Sequence, residues 1–495
     1  MGVVLKKDLK HWKDVILFIA VTAVSLLLVF HDFSHHVWYS GDTFRDIAVG
    51  YHIAVFHEYP IVGHKAGGLN FYYPPYYYYL VALVTRINSN IWFVTGVFAF
   101  SAALFPGIIY LLTTHVFDRL VGVTAAILYL MLMLRIGSMN LWSVFVAMHF
   151  SYFALILISF DKHKKLKYCG YFLFALALAM NYADIVILPF IVLYEYISSS
   201  TKYNIITSLG FLLLSSVLLQ VPIIIHFGLV NVLIHILPSA HLLLSEAYVS
   251  AIGKSWLYIG RELFHHSSLF SLTGGIASVT LSLTTLVYHK NMLKRVVFVA
   301  AFFVGAVFVG SFYQRGAEYW YYYPLFPLFI ICISFLSIKL WRTQNMVAKY
   351  ISCICMIVFI LSVTGEFTFP GGSDTHDKVN SIIRTIYTKA PSLGIKNDAF
   401  VLSGSLGDGI YDSPTFWYMA EIMRHRKLSY LTNSEEGILA YHLGEYPVFL
   451  VCKNEGAAAT EQCLDPFLAE YKKYSLSKIL PYSSDEYRIY LLVPN

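Results

Sequence analysis

Apolar runs of membrane-crossing length recur through the first 365 residues, separated by short polar or basic breaks. A bilayer core about 30 Å thick is crossed by about 20 apolar helical residues, and every backbone polar group in it must be satisfied internally. Runs near 14–31, 91–112, 119–135, 142–160, 168–182, 184–198, 203–224, 269–288, 295–312, 323–340 and 346–364 meet that requirement. The expected fold is therefore an α-helical polytopic membrane protein with about eleven transmembrane helices. Composition excludes a soluble alternative: 58% of residues are hydrophobic and 13% charged, with a mean hydropathy of +0.63. The net charge of +6 does not point to nucleic acid, because the basic residues sit in clusters between apolar runs, where they set topology.

Those clusters give the orientation. Lys6, Lys7, Lys10 and Lys13, then Thr114–Arg119, Asp161–Lys167, His289–Arg295 and Lys339–Arg342, fall on one side if the runs alternate. That side is the cytoplasm, and the multi-pass chain is expected in the plasma membrane of the cell envelope. The apolar run Val15–Phe30 behind the first lysines lacks a small-residue cleavage site and reads as an uncleaved signal anchor. The weakest part is Tyr168–Ser198, which Asn181, Asp184 and Pro189 interrupt. It is one span or two; if one, Ile223–Leu244 supplies the other, so the sidedness of later loops is unchanged.

The domains expected are a transmembrane domain over 1–365, with a first external loop at 31–90, and an extracytoplasmic α/β domain over 366–495. Within the loop, Pro74–Ile87 is too short to span; prolines opening a tyrosine-rich helix that ends at Arg86 suit the membrane surface. In the C-terminal part, a helix is expected over Asp377–Ala390 and another over Pro414–Arg424. Strand-like runs stand at Ala399–Ser403, Pro447–Cys452 and Tyr487–Val493. Gly404–Gly409 (GSLGDG) lacks the lysine of a phosphate loop and reads as an ordinary loop. Cys452 and Cys463 form a disulfide in an oxidising compartment or stand as two thiols; the sequence leaves both readings open.

The loop concentrates what the apolar remainder lacks. From Asp42 to Phe56 the apolar residues recur at helical spacing, and Asp42, Arg45 and Asp46 cluster at the start of that helix. On spacing alone Asp42 is as well explained by an N-cap, and Asp46 by pairing with Arg45. Tyr72, Tyr73 and Tyr76–Tyr79 fit an interfacial belt or a surface that stacks on sugars and isoprene units. No histidine arrangement has metal-site spacing; His35–His36 and His265–His266 are adjacent and point apart.

One order of features resembles a known family: a single span, Gly41-Asp42, an amphipathic helix, His57-Glu58-Tyr59-Pro60, Gly63, Gly67-Gly68, and Phe71–Leu80 around Pro74-Pro75. It is similar to that of the C-type glycosyltransferases, integral membrane enzymes that use lipid-phosphate-linked sugars. Within them it looks most like the branch of the lipid A aminoarabinose transferases and protein O-mannosyltransferases. Glu318–Pro327 (EYWYYYPLFP) is similar to the aromatic-Pro-x-x-Pro start of a late span in that branch. Departures from the pattern are Thr43 where a Glu often follows the opening acid, and Tyr73 where a lysine or other polar residue often precedes the proline pair. The loop after the third span offers only Arg135, Ser138 and Asn140, where another acid is common.

The resemblance implies transfer of a sugar from a polyprenyl-phosphate donor to a lipid, glycan or protein acceptor on the outer face. Polyprenyl phosphate is already a competent leaving group, so one carboxylate near the acceptor suffices for an inverting single displacement. Asp42 is the expected general base. Asp46 orients the acceptor or Arg45, and Tyr73, Glu318 and Tyr322 line the substrate region. For the phosphate the candidates are His64, Lys65, Arg261 and Arg315, with His265 and His266 as further donors. No cofactor is required by this chemistry, and a divalent cation shared by Asp42 and the phosphate is compatible with it. Two other classes stay open: a transporter or flippase of lipid-linked sugars, for which Asn181, Asp184 and Pro189 are the hint, and a non-catalytic assembly subunit.

Overall fold

The computed structural model describes residues 2–31, 33, 41–64, 72–136, 140–160, 163–198, 202–229, 323–324, 326–364, 372–393 and 395, and the C-terminal segments 400–403, 429–431, 438–440, 447–453, 464–465, 468–469, 474–480 and 487–495. It divides into two compact units, one of Met1–Asp32, Lys65–Tyr76 and Phe98–Thr368, the other of Phe33–His64, Tyr77–Val97 and Phe369–Asn495.

The first unit is helical. Its elements are α1 (Gly2–His31), most of α4 (Ile91–Val116), α5 (Arg119–Ile136), α6 (Ser143–Ser159), α7 (Lys164–Met180), a 3-10 turn (Tyr182–Ile187) running into α8 (Leu188–Ser198), α9 (Lys202–Leu219), α10 (Val221–Phe227), α11 (Phe326–Trp341) and α12 (Met346–Thr364). Among the described residues, Trp12–His31 and Ile91–Val116 are each long and apolar enough to cross a membrane, and the pair Asn204–Leu219 and Val221–Phe227, bent by 45°, qualifies jointly. Shorter apolar helices include Ser143–Ser159 and Phe326–Trp341. Apolar side chains such as Leu27, Ile206, Leu213 and Ile225 face outward, as on helices whose solvent is lipid. This is an integral membrane protein.

Ion pairs and hydrogen bonds gather alternate helix ends. At one end, Asp14 accepts from Arg119 Nε at 2.6 Å and from the Tyr110 hydroxyl at 3.2 Å. Arg342 pairs with Asp118 at 2.6 Å, and the Ser159 carbonyl accepts from Tyr194 at 3.3 Å. Lys167 meets the buried Glu195 carboxylate at 2.7 Å. That last pair resolves the interrupted stretch at Asn181. From Lys167 up α7, and back down the 3-10 turn and α8 to Glu195, each leg is about 20 Å at 1.5–2.0 Å per residue. The legs close on one another, so the chain reverses at Asn181. Small residues let these helices approach: a Cβ on Gly170 would lie 2.9 Å from the Ala154 carbonyl, so α7 can pack on α6 only with glycine there.

In the second unit, α2 (Gly41–Tyr51) continues as a π-helical turn, His52–Phe56, and packs on α3 (Tyr76–Ile87). Gly50 makes that approach; a Cβ there would lie 2.6 Å from Val81 Cγ1 and 3.2 Å from the Ala82 nitrogen. At 12 residues, α3 is about 18 Å long, well short of the bilayer core. It buries Tyr77, Tyr78, Val81, Ala82, Val84 and Thr85 and exposes Leu83 and Ile87, the two-faced pattern of a surface-lying helix.

The same unit holds α13 (Gly372–Lys389) and six strands: β1 (Phe400–Ser403), β2 (Ser429–Leu431), β3 (Ile438–Ala440), β4 (Val448–Lys453), β5 (Tyr474–Leu480) and β6 (Tyr487–Pro494). Four form a mixed sheet in the order β1-β4-β6-β5, parallel only between β1 and β4, while β2 and β3 pair separately. Central β4 and β6 bury Val448–Cys452 and Ile489–Leu492, and α13 buries Ile382, Ile383 and Ile386. The strand-like runs of the sequence correspond to β1, β4 and β6. The stretches Pro414–Arg424 and Gly404–Gly409 lie outside the described residues. Cys452 is disulfide-bonded; Cys463, its partner in one of the two readings of the sequence, lies outside the described residues.

Candidate active site

Asp42 stands in the first turn of α2, where the helix's unpaired N–H groups favour negative charge; its side chain lies outside the described set. One turn on, Arg45 and Asp46 form a clamp. Arg45 donates to a single Asp46 oxygen from Nε at 3.0 Å and from Nη2 at 2.8 Å. Helical neighbours do not face each other, so this contact depends on the length of the arginine side chain.

The sequence expectation of an amphipathic helix changes here. Phe44, Ile47, Ala48 and Tyr51 are buried as expected, yet so are Thr43, Asp46 and Val49. The helix is enclosed on nearly every face, with Asp46 only 1% exposed. An acid at that depth is tolerable because Arg45 neutralises it. Asp46 thus has a charge partner inside the protein and does not project into solvent.

Tyr77 and His64 complete this cluster. Burial first, then the Asp46 charge, push the Tyr77 phenol well above its ordinary range. The His64 ring meets Tyr77 and Tyr78 edge-on, each at 6.0 Å. Burial first, and then the Arg45 charge, hold the His64 imidazole well below its ordinary pKa. His64 is therefore neutral at physiological pH, its ring carrying one N–H and no positive charge.

Tyr73 belongs to the first unit. It is buried, stacked on Tyr182 at 4.7 Å, and its hydroxyl donates to Asn181 at 3.4 Å. Tyr72 stacks on Phe227 at 5.4 Å. Of the second aromatic patch, Tyr323 stacks on Phe145 at 5.1 Å, and the Pro324 carbonyl accepts from Tyr152 at 2.6 Å, fixing the start of α11 on α6. Lys65, Arg261, His265, His266, Arg315, Glu318 and Tyr322 lie outside the described residues. Among the described residues, no group of three or more His, Cys, Asp or Glu side chains is arranged to hold a metal ion.

Two arrangements were not visible in the sequence. His52, fully buried, contacts the Glu58 carboxylate at 2.9 Å through Nδ1. The six-residue separation becomes a contact only because the π turn and the left-handed His57 (φ 59°) fold the chain back. The second is the set of bonds around Asn181. Its polarity inside an apolar run was legible; its partners, Tyr73 and Ser143, are 108 and 38 residues away and left no local signal.

No family model matches the chain, and no curated protein matches its sequence. Solved structures do. ArnT from Cupriavidus metallidurans bound to undecaprenyl phosphate is 11% identical with a TM-score of 0.52, the match covering 96% of this chain and 97% of that one. The Archaeoglobus fulgidus oligosaccharyltransferase matches in its apo form (15% identity, TM-score 0.47, 84% of this chain) and in complex with Zn and sulfate (13%, 0.44, 83%). This chain spans 64% and 61% of those two chains. The likeness to ArnT runs over nearly the whole of both chains and shows a shared fold.

Proposed function

We propose that this membrane protein, which has the C-type glycosyltransferase fold, moves a sugar from a polyprenyl-phosphate donor to a lipid, glycan or protein acceptor on the outer face of the membrane. The observation that carries the reading is the fold shared from end to end with a protein crystallised with undecaprenyl phosphate. The first-loop features support it: an acid in the first turn of α2, followed by an arginine held by a buried carboxylate.

In the proposed reaction the acceptor hydroxyl attacks the anomeric carbon as the bond to the phosphate oxygen breaks. The hydroxyl proton passes to Asp42 and the electron pair of the broken bond leaves on polyprenyl phosphate. A base in that role is worth about 10² to 10⁴ in rate, and one attack on one face inverts the anomeric centre. Arg45, oriented by Asp46, is assigned to the phosphate together with Lys65 and Arg315, while neutral His64 contributes an N–H. Glu318 and Tyr322 are assigned to the substrate region, and Tyr73 to holding the loop's closing turn. The chain is assigned to the plasma membrane, with the loop at 31–90 and the part from 366 onward outside. The disulfide at Cys452 supports that side, since disulfides persist in oxidising compartments.

The test is mass spectrometry of glycolipids and glycoproteins from cells carrying the protein, lacking it, or carrying Asp42→Asn. Loss of one modified species in both the deletion and Asp42→Asn is expected, with the matching lipid-linked sugar accumulating. Full modification with Asp42→Asn would overturn the assignment of the base. Chelation of divalent ions during transfer in isolated membranes separates Asp42 acting alone, with activity retained, from Asp42 sharing a cation with the phosphate, with activity lost.

One observation favours a transporter as second reading. Asp184 is fully buried in the helical unit and, among the described residues, its carboxylate meets at most the Ser151 hydroxyl, the feature expected of an intramembrane ion or substrate path. Under that reading Asp184→Asn abolishes function and Asp42→Asn spares it. Under glycosyl transfer the order is reversed.

A further inference from the structure

The reversal at Asn181 is joined to more separate parts of the chain than a turn requires. Asn181 is 2% exposed, with extended backbone (φ −157°, ψ 122°). Its Oδ1 accepts from the Ala183 N–H at 2.9 Å, the cap of the 3-10 turn. A backbone N–H can only donate, so this bond fixes which side-chain atom is oxygen, and Nδ2 is left to face Ser143. Nδ2 donates to the Ser143 hydroxyl, at the first residue of α6, at 3.1 Å. The same Oδ1 accepts a longer bond, 3.4 Å, from the Tyr73 hydroxyl. Three of the four bonds that an amide can make thus serve three different segments.

The following residue extends the seam. Tyr182 stacks on Tyr73 with ring planes 20° apart and donates its hydroxyl to Gln220, after α9, at 2.8 Å. Tyr72 lies nearly parallel to Phe227 at the end of α10. The residues just before Pro74-Pro75 are therefore held by two ring stacks and one hydrogen bond on the helix ends that meet at Asn181. Pro74 and Pro75, themselves buried, have fixed φ, so setting Tyr72 and Tyr73 sets the backbone path through the closing turn to Pro75.

From this we infer that Asn181 is a positioning residue for the donor: it docks the closing turn Tyr72–Pro75 of the first loop on the helical unit and so sets affinity for the polyprenyl-phosphate sugar without touching it. The inference rests on the glycosyl transfer proposed above. If Asn181 were only the local cap of the 3-10 turn, a shorter capping residue would replace it. Serine caps comparably well, but its hydroxyl cannot reach Ala183, Ser143 and Tyr73 together.

The experiment uses the full-length protein in lipid nanodiscs, as wild type, Asn181→Ser, Asn181→Leu and Tyr73→Phe. Amide hydrogen exchange is followed over 72–80, and donor KM and kcat are measured separately. Asn181→Ser and Asn181→Leu are both expected to speed exchange over 72–80 about tenfold, since docking sets local opening. They are expected to raise donor KM by about the same factor with kcat within about threefold, the pattern of lost uniform binding. Tyr73→Phe, which keeps the ring stack on Tyr182 and loses the bond to Asn181, is expected to move both readouts in the same direction as Asn181→Ser and by less, a hydrogen bond at 3.4 Å being weak. Asn181→Ser matching wild type would overturn the inference, as would faster exchange with unchanged KM. Asn181→Ser remains decisive if Asn181→Leu fails to fold. Retention of full transfer by Asp42→Asn would defeat the proposed chemistry, while the exchange measurement would still decide the docking.

Discussion

His64 is the group in the first-loop cluster whose charge state is set by its surroundings rather than by pH near neutrality. Its folded-state pKa lies well below its ordinary value of 6.5, first through burial and then through Arg45. An unfolded chain therefore binds a proton on His64 at mildly acidic pH that the folded chain excludes. The sign follows: this group lowers stability as pH falls below about 6.5 and has no effect above it. Unfolding of the purified protein followed between about pH 5 and pH 7.5 should show that slope, and His64→Gln should flatten it; an unchanged slope would place the sensitivity elsewhere. Asp184 gives a second expectation. A buried carboxylate that, among the described residues, has at most the Ser151 hydroxyl near it is costly in a helical membrane unit, so Asp184→Asn should hold or raise the melting temperature. A fall of several degrees would reveal a partner for its charge. At this scale the sequence shows which residues are polar in an apolar setting, Asp42, Arg45, Asp46, Asn181 and Asp184 among them. It does not show which of them meet, because His52–Glu58 and Tyr73–Asn181 depend on turns and packing that no local spacing encodes.

Among the elements, close approaches at glycines, Gly50 and Gly170 among them, determine how the helices pack. Gly50 lets α2 lie against α3, and Gly170 lets α7 lie against α6. A side chain at either place must displace backbone, which costs about 1–3 kcal/mol. Gly170→Leu is expected to lower the melting temperature in detergent more than Gly210→Leu, since none of the described residues lies within 4 Å of a Cβ at Gly210; equal effects would show that close packing is not the cause. The pair Lys167–Glu195 ties the hairpin of α7 and α8 at its far end, with Glu195 fully buried. Lys167→Met removes that counter-charge and should cost about 3–5 kcal/mol, as breaking a buried pair does. Helix positions were legible because apolar runs and their breaks are long-range patterns. The π turn was not, since α and π turns bury the same residue types, and neither was β5, whose YSLSKIL mixes polar and apolar residues.

For the whole molecule, the helix ends joined by Asp14–Arg119, Asp118–Arg342 and Lys167–Glu195 carry the basic clusters from which sidedness was read. If that end is cytoplasmic, Gln344→Cys should react with a membrane-impermeant thiol reagent only after permeabilisation, and Asn88→Cys in intact cells. The opposite result would reverse the orientation. A non-reducing peptide map should show Cys452 joined to Cys463; a different partner would correct the pairing expected from the sequence. The reversal at Asn181 also bears on how the chain is made. Its outgoing leg, Lys164–Met180, has 17 residues, and the return leg, Tyr182–Ser198, joins a 6-residue turn to an 11-residue helix. Each falls short of the about 20 residues that cross a bilayer comfortably, and the return leg carries Asp184 and Glu195. Neither leg is well suited to insertion alone, so the two are expected to enter the lipid together as a hairpin in which Lys167 and Glu195 neutralise each other. A released chain truncated after Asn181 is therefore expected to integrate its last leg less efficiently than one truncated after Ser198, which protease protection of the two truncations in membranes would read.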